Sequence, residues 1–371
     1  MNPHRKNNYR FFLAPFSFLY CLVAGIRNKL FDLNILQSKD FNLPVISIGN
    51  ITVGGTGKTP HIEYLTALLK DEFKVATLSR GYKRKTKTFQ YGTLESTWED
   101  IGDEPRQIKQ KFPDILVAVD NNRVHGIEKL TADFKDLNII LLDDAFQHRY
   151  VKPGLSILLI DFTRPLSKDH LIPAGTLREC PYEKRRAHII IITKCPPDLK
   201  PIDRRLVIKN LNLFPYQNLY FTTITYGELY PVFGDINNPL SKEICKKEKY
   251  FILLVTGIAN SRPFKKHLRG TSSKIRELKY PDHHPYNKND LQVIEEQYNQ
   301  IENDKKIIIT TEKDATRLQH LTGVGSTIRN NLYYMPIGIE FLFNDTENFI
   351  NQITGYVRKN KRDSILYKNQ N

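Results

Sequence analysis

The segment PVISIGNITVGGTGKTP, Pro44–Pro60, constrains this chain more than any other. It opens with a short apolar run, Val45–Ile48, of a length that suits a buried strand. A glycine-dense turn follows, with Gly49, Gly54, Gly55 and Gly57, then Thr56, Lys58, Thr59 and Pro60, where a helix can begin. Strand, glycine loop, Lys-Thr, helix is the layout of a phosphate cradle. Glycines let the backbone curl until several N–H groups face one anion, and the helix N-terminus adds partial positive charge. The pattern predicts that Gly54, Gly55, Thr56, Gly57 and Lys58 wrap nucleotide phosphates, with Lys58 at the transferred group and the Thr59 hydroxyl on Mg²⁺. The strict G-x-x-x-x-G-K-[ST] form has glycine where this chain has Thr52, and the partitioning-type variant has lysine where it has Val53. A plain glycine turn with a solvated lysine is the alternative, and the flanking strand and G-K-T-P argue against it.

Continuous apolar runs that end in polar residues recur downstream: Phe73–Leu78, Ile115–Val119, Asn138–Leu142, Leu155–Ile160 and Ile189–Ile192. Such runs predict buried parallel strands with the site at their carboxyl ends. The span 196–215 is rich in proline and charge and reads as a connection between lobes. The pattern then resumes with Leu219–Thr225, Tyr250–Thr256, Lys305–Thr310 and Leu332–Pro336. The expected fold is α/β: a P-loop NTPase-like, mostly parallel sheet core, a second, smaller α/β lobe and an N-terminal membrane-associated helix. The expected division is 1–35 for that helix, 36–200 for the kinase core, 201–358 for a second lobe that closes the site, and 359–371 for a frayed basic tail.

The chain has 371 residues, enough for two domains, and 40% hydrophobic content, enough for packed cores. Its 55 Lys+Arg against 40 Asp+Glu give a formal charge of +15, which favours anionic partners such as nucleic acid, anionic lipid or phosphorylated substrates. Cys21, Cys180, Cys195 and Cys245 form no C-x-x-C pair, so no zinc site or disulfide framework is signalled and a reducing compartment is expected. The apolar run Phe11–Ile26 is interrupted by Pro15 and Ser17 and falls short of the roughly 20 residues of a full span. Arg5, Lys6, Arg10, Arg27 and Lys29 flank it. A secretory signal would carry a phosphate loop away from ATP and shows no clear A-x-A site. A buried core helix is the structural alternative. Basic flanks and aromatic ends favour a helix lying in or on the cytoplasmic leaflet.

Four acidic residues sit where phosphoryl-transfer chemistry needs them. Asp143 and Asp144 end an apolar strand, the usual place to hold Mg²⁺ or its water; a solvated junction is the alternative. Asp103 and Glu104, in IGDEP, offer a base for a hydroxyl or a further metal contact. Arg178, in IPAGTLRE, can brace the transferring group or form a surface salt bridge. Asp282, His283 and His284 lie in a polar loop with no further ligands at metal spacing, so a proton relay suits them better than a metal site. Lys313 and Asp314, in TTEKDA, follow a strand and are expected at the nucleotide base.

Together these segments resemble the tetraacyldisaccharide 4'-kinase family, the lipid A kinases of Gram-negative bacteria. The matching residues are GNITVGGTGKTP (49–60), SRGYKRK (79–85), GDEP (102–105), DDAFQHR (143–149), IPAGTLRE (172–179), TGIANSRPF (256–264), DHH (282–284) and TEKDA (311–315). They run in family order over nearly the whole chain. The resemblance implies ATP and Mg²⁺, and transfer of the γ-phosphate to the 4'-hydroxyl of a tetraacyl disaccharide 1-phosphate in lipid A biosynthesis. It implies a peripheral or monotopic place on the cytoplasmic face of the inner membrane; a monomer is expected. It also implies Asp103 as the base, oriented and made more basic by His283. Two departures stand out: Ala145 replaces a glycine, and LSKDHL precedes IPAG where a Gly-Asn is usual. A membrane-recruited P-loop ATPase or GTPase switch is the alternative. A nucleic-acid binder is disfavoured, since no interleaved aromatic and basic stripe occurs.

Overall fold

The computed structural model describes residues 7–235 and 237–368, and the side chains of 12–235 and 237–360. Val45–Gly49, every residue of it buried, is the central strand β1. It is joined by β2 (Val75–Ser79), β3 (Gln90–Gly92), β4 (Leu116–Val119), β5 (Ile139–Asp143), β6 (Leu155–Asp161), β7 (Ile189–Thr193) and β8 (Asn218–Tyr226). A second sheet holds β9 (Tyr230–Pro231), β10 (Phe251–Thr256), β11 (Ile275–Lys279), β12 (Lys306–Thr311) and β13 (Leu332–Met335), after which β14 (Ile337–Phe341) returns to the first. The nine-stranded order is β14-β8-β7-β6-β1-β5-β2-β4-β3, and the five-stranded order is β11-β10-β12-β13-β9. Parallel pairing dominates both sheets; β3, β9 and β14 pair antiparallel at the edges. Ile46, Ile48, Ile139 and Ile189 are buried in one core cluster. Burial on both faces is why these strands read as unbroken apolar runs.

The division between lobes differs from the expected one. β8 pairs with β7, and β14 pairs with β8, so residues on both sides of the second sheet belong to the first. The helix Thr346–Lys368 also returns to the core, where Phe349, Ile353 and Val357 pack with Ile46 and Ile157. The second lobe is thus an insertion spanning β9 to β13. The span 196–215 is no plain linker: Pro201 starts the helix Pro201–Leu211, the position that tolerates its missing N–H. The tail expected to fray from 359 continues the last helix to Lys368; residues 369–371 lie outside the described residues.

The N-terminal helix spans Asn7–Asp32 and keeps Pro15 within it; Arg5 and Lys6 lie outside the described residues. One stripe, Ser17, Asn28 and Phe31, is buried against the core, which excludes a wholly exposed helix. The opposite stripe, Phe16, Leu19, Val23 and Ile26, is more than half exposed. A buried core helix is excluded by the same pattern. No helix among the described residues is long and apolar enough to cross a membrane.

Candidate active site

The phosphate loop leaves β1 and turns into the helix Lys58–Leu69. Gly54 and Gly57 have φ of 95° and 88°, where a Cβ would be strained, so glycine is required at both. Asn50 Nδ2 donates to Thr56 Oγ1 at 2.7 Å inside the turn. His61, one turn into the helix, binds Gly57 O at 2.7 Å through Nδ1 and Thr222 Oγ1 at 3.1 Å through Nε2. Burial pushes its pKa down to about 4, so it is a neutral prop for the loop.

Asp143 and Asp144 end β5, beside the loop. Asp144 turns out with φ of 46°, a conformation aspartate tolerates. Lys58 Nζ lies 3.5 Å from its Oδ1, and Arg178 Nη1 lies 3.0 Å from its Oδ2. Burial alone would raise the pKa of Asp144; the Lys58 and Arg178 cations outweigh it and lower it. Asp143 is buried and its Oδ1 finds no hydrogen-bond partner. Burial, the nearby Glu104 carboxylate and Asp144 push its carboxyl up to about 7 against the pull of Lys58. The orphan oxygen of Asp143, under the charge of the Glu104 and Asp144 carboxylates, is the atom here that could take a divalent cation. Mg²⁺ takes few protein ligands and relies on substrate phosphates. Among the described residues no cluster of three or more His, Cys, Asp or Glu is suited to a metal.

The second lobe supplies the opposite wall. His283, at φ of 58°, meets Asp103 with Nδ1 to Oδ2 at 2.7 Å. Its Nε2 faces Lys313 Nζ at 3.2 Å, and Lys313 also reaches Glu104 Oε1 at 3.3 Å. Arg317 Nη2 also lies 3.2 Å from Nδ1, but the shorter contact there is to the carboxylate, which can only accept; with the ammonium at Nε2, this favours the tautomer with the proton on Nδ1. His284 is elsewhere engaged: its Nε2 binds Asp290 Oδ2 at 2.9 Å and its ring stacks on Tyr280. Lys313 thus stands beside the Asp103–His283 pair and Glu104. Asp314 does not fit the base-reading role. It is fully buried, and it accepts from Gly257 N at 2.9 Å, Thr311 Oγ1 at 2.7 Å and Arg317 Nη1 at 3.1 Å.

Arg317 is a site residue that the sequence reading did not single out. Its Nε donates to Asp103 Oδ1 at 2.9 Å and its Nη2 to Asp103 Oδ2. Burial would raise the Asp103 carboxyl, but the bonds from His283 and Arg317 and the charges of Arg317 and Lys313 hold it well below the usual carboxylate range. The lobes also meet at Lys111, which lies 2.6 Å from Glu63 on the phosphate-loop helix and 3.3 Å from Glu312. The N-terminal helix closes the remaining side. Tyr20 OH donates to Arg178 O at 2.8 Å, Arg27 Nη2 to Gln147 O at 3.2 Å, and Asn28 Nδ2 to Glu179 Oε1 at 3.2 Å. The stretch LSKDHL is accounted for by Asp169, whose Oδ1 takes His170 N at 2.8 Å and Thr176 N at 3.1 Å and so closes the IPAG turn. Ala145 is buried in a core cluster.

The family model described as "Tetraacyldisaccharide-1-P 4'-kinase" matches residues 9–358. A tetraacyldisaccharide 4'-kinase of Bacteroides thetaiotaomicron is 48% identical over 97% of this chain and 96% of its own length. One from Bacteroides fragilis is 51% identical over 95% of each. The crystal structure of LpxK from Aquifex aeolicus in complex with ATP aligns with a TM-score of 0.73 at 29% identity, covering 94% of this chain and 99% of that one. The order of motifs, the P-loop sheet and these matches converge: the chain belongs to the tetraacyldisaccharide-1-phosphate 4'-kinase family.

Proposed function

We propose that this chain transfers the γ-phosphate of ATP to the 4'-hydroxyl of a tetraacyl disaccharide 1-phosphate. The observation that carries the reading is the pairing of Asp103 with His283 across the lobes, next to Glu104, whose charge acts on Asp143 at the end of β5. A sugar hydroxyl is a poor nucleophile until a base takes its proton. In the proposed step the hydroxyl oxygen bonds to the γ-phosphorus, the bond to the β–γ bridging oxygen breaks, and ADP leaves. The hydroxyl proton passes to the Asp103–His283 pair. Lys58 and Arg178 stand where charge builds on the transferring group. Asp143, Asp144 and Thr59, with Glu104 near, would hold Mg²⁺, which would supply charge neutralisation at the phosphates when bound. Loop N–H groups and the helix Lys58–Leu69 bind the phosphates of ATP.

The acceptor's acyl chains explain the N-terminal helix. Its exposed apolar stripe faces away from the protein while its other face holds the Arg178 and Gln147 loops. A helix in that pose, on a chain of charge +15, suits an anionic membrane surface, with the acceptor delivered at the same level. Thin-layer separation after incubation with γ-labelled ATP and the lipid tests the reading. Label should appear on a lipid carrying a second phosphate. Nucleotide hydrolysis that proceeds without lipid and leaves the lipid unlabelled would instead mark a switch ATPase.

A further inference from the structure

The outside of a phosphate loop is as informative as its inside. In a trans peptide the carbonyl and the next residue's N–H point in opposite directions. A loop whose carbonyls are held from outside therefore aims the following N–H groups inward. Here three such carbonyls are held by the ends of β6 and β7. Arg164 Nη1 donates to Val53 O at 2.9 Å and its Nη2 to Gly55 O at 3.4 Å. Lys194 Nζ donates to the same Gly55 O. Thr193 Oγ1 donates to Thr56 O at 2.8 Å. The N–H groups that follow belong to Gly54, Thr56 and Gly57.

Two of these donors, Arg164 and Lys194, are themselves fixed by one acid. Asp161 is only 3% exposed and stands in register with Thr193. Its Oδ2 lies 2.8 Å from Lys194 Nζ and 3.4 Å from Arg164 Nε, and its Oδ1 takes Thr163 N at 2.9 Å and Thr163 Oγ1 at 2.6 Å. An ion-pair cluster that served only Asp161 would need no donation to loop carbonyls. That donation gives the cluster a second job.

We propose that Thr193, and Arg164 and Lys194 keyed by Asp161, are positioning residues that hold the phosphate loop in its anion-accepting shape before ATP arrives. The proposal rests on the ATP-cradle reading of that loop. A cradle formed in advance spares the nucleotide the cost of ordering it, so the benefit falls on binding rather than on the chemical step.

Titration calorimetry of the full chain with a non-hydrolysable ATP analogue and Mg²⁺ tests it, beside steady-state kinetics and thermal melting. Lys194→Met and Arg164→Met should each weaken analogue binding by about tenfold or more. Turnover at saturating ATP should stay within about threefold, and the KM for lipid should not move. Lys194→Arg should recover much of the loss. The loss should persist in about 0.5 M salt, because a contact to a neutral carbonyl is not screened as a distant charge is. Wild-type affinity in both variants overturns the proposal, as does a loss that disappears in salt. An equal fall in turnover and melting temperature does so too, since it marks general destabilisation. If Lys194→Met does not fold, Arg164→Met and Asp161→Asn decide by the same criteria. Failure of the wild-type chain to bind the analogue would instead end the cradle reading itself.

Discussion

Arg317 takes both carboxylate oxygens of Asp103, one through Nε and one through Nη2, while its Nη1 holds Asp314. The bond joins the helix that opens at Asp103 to the helix Glu312–Leu318 of the inserted lobe. It therefore fixes where the lobes meet and what Asp103 can do. A carboxylate with both oxygens bound is ionised and oriented, yet a weak base until one donor lets go. The expectation that His283 makes Asp103 more basic is not met in this structure: the bond from His283 holds the carboxyl down, as do the bonds and charge of Arg317. Arg317→Met should cost about 3–5 kcal/mol, the usual loss when one partner leaves a buried pair. Turnover should fall with it while ATP affinity stays near wild type. Arg317→Lys keeps the charge but not the fork and should recover stability only in part. Denaturant unfolding and kinetics of the two variants check this; an unchanged melting curve in Arg317→Met would refute the clamp.

If Asp103 and His283 serve as proposed, they should behave as a unit. Asp103→Ala and His283→Ala are each expected to lower turnover by about 10² to 10⁴, with ATP binding largely retained. The double variant should be little worse than either. Strictly multiplicative losses would mean independent roles, and full activity in Asp103→Ala would end its assignment as the base.

Much of this was legible in the sequence, for identifiable reasons. β5, β6 and β7 announce themselves because their isoleucines and leucines are buried on both faces. β11 does not, because Ile275–Lys279 is an edge strand whose IRELK is mostly half-buried. The return of β14 to the first sheet is a matter of topology, which no local pattern carries. Within the site, glycine spacing and strand-end acids marked the nucleotide half. Arg317 left no such mark: three residues after Asp314 it looks like an ordinary helical ion pair, and its contact with Asp103 spans 214 positions. Lys194 was visible only as the polar end of a strand.

Lys58 faces Asp144 in this structure and should turn to the transferring phosphate when ATP is bound. Lys58→Ala should cut turnover by about a thousandfold, several kcal/mol of barrier. A variant with near wild-type turnover would remove the loop lysine from the mechanism.

The buried acid at the lobe junction predicts a pH dependence. Burial and the Glu312 carboxylate push Glu63 up to about 7, against the pull of Lys111. Between its ordinary value near 4.5 and about 7 the folded chain binds more protons at Glu63 than the unfolded chain does. Stability from this group is full below that window and is lost as pH rises through it. Glu63→Gln removes the linkage while leaving an acceptor for Gln107, which lies 2.7 Å from Oε1. Chemical unfolding from pH 5 to 8 should therefore give a flatter profile for Glu63→Gln than for wild type. Parallel profiles would show that Glu63 keeps an ordinary pKa.

The N-terminal helix offers a cleaner test of membrane docking than its deletion. Removing it would strip Tyr20, Arg27 and Asn28 from the Arg178, Gln147 and Glu179 loops, so lost activity could not be traced to lost membrane. Its outer stripe makes the separation possible: Leu19 and Val23 are 58% and 61% exposed. Replacing both with glutamate leaves the inner stripe untouched but places two anions against lipid headgroups. Each apolar side chain withdrawn from the interface costs about 1.5–3 kcal/mol of binding at most, and each added anion works against a negative surface. The double variant should leave anionic vesicles in a sedimentation assay. It should still phosphorylate a detergent-dispersed lipid acceptor at close to the wild-type rate. Sedimentation equal to wild type would place the membrane contact elsewhere. Equal loss of activity in detergent would mean that the stripe serves the site directly rather than the bilayer.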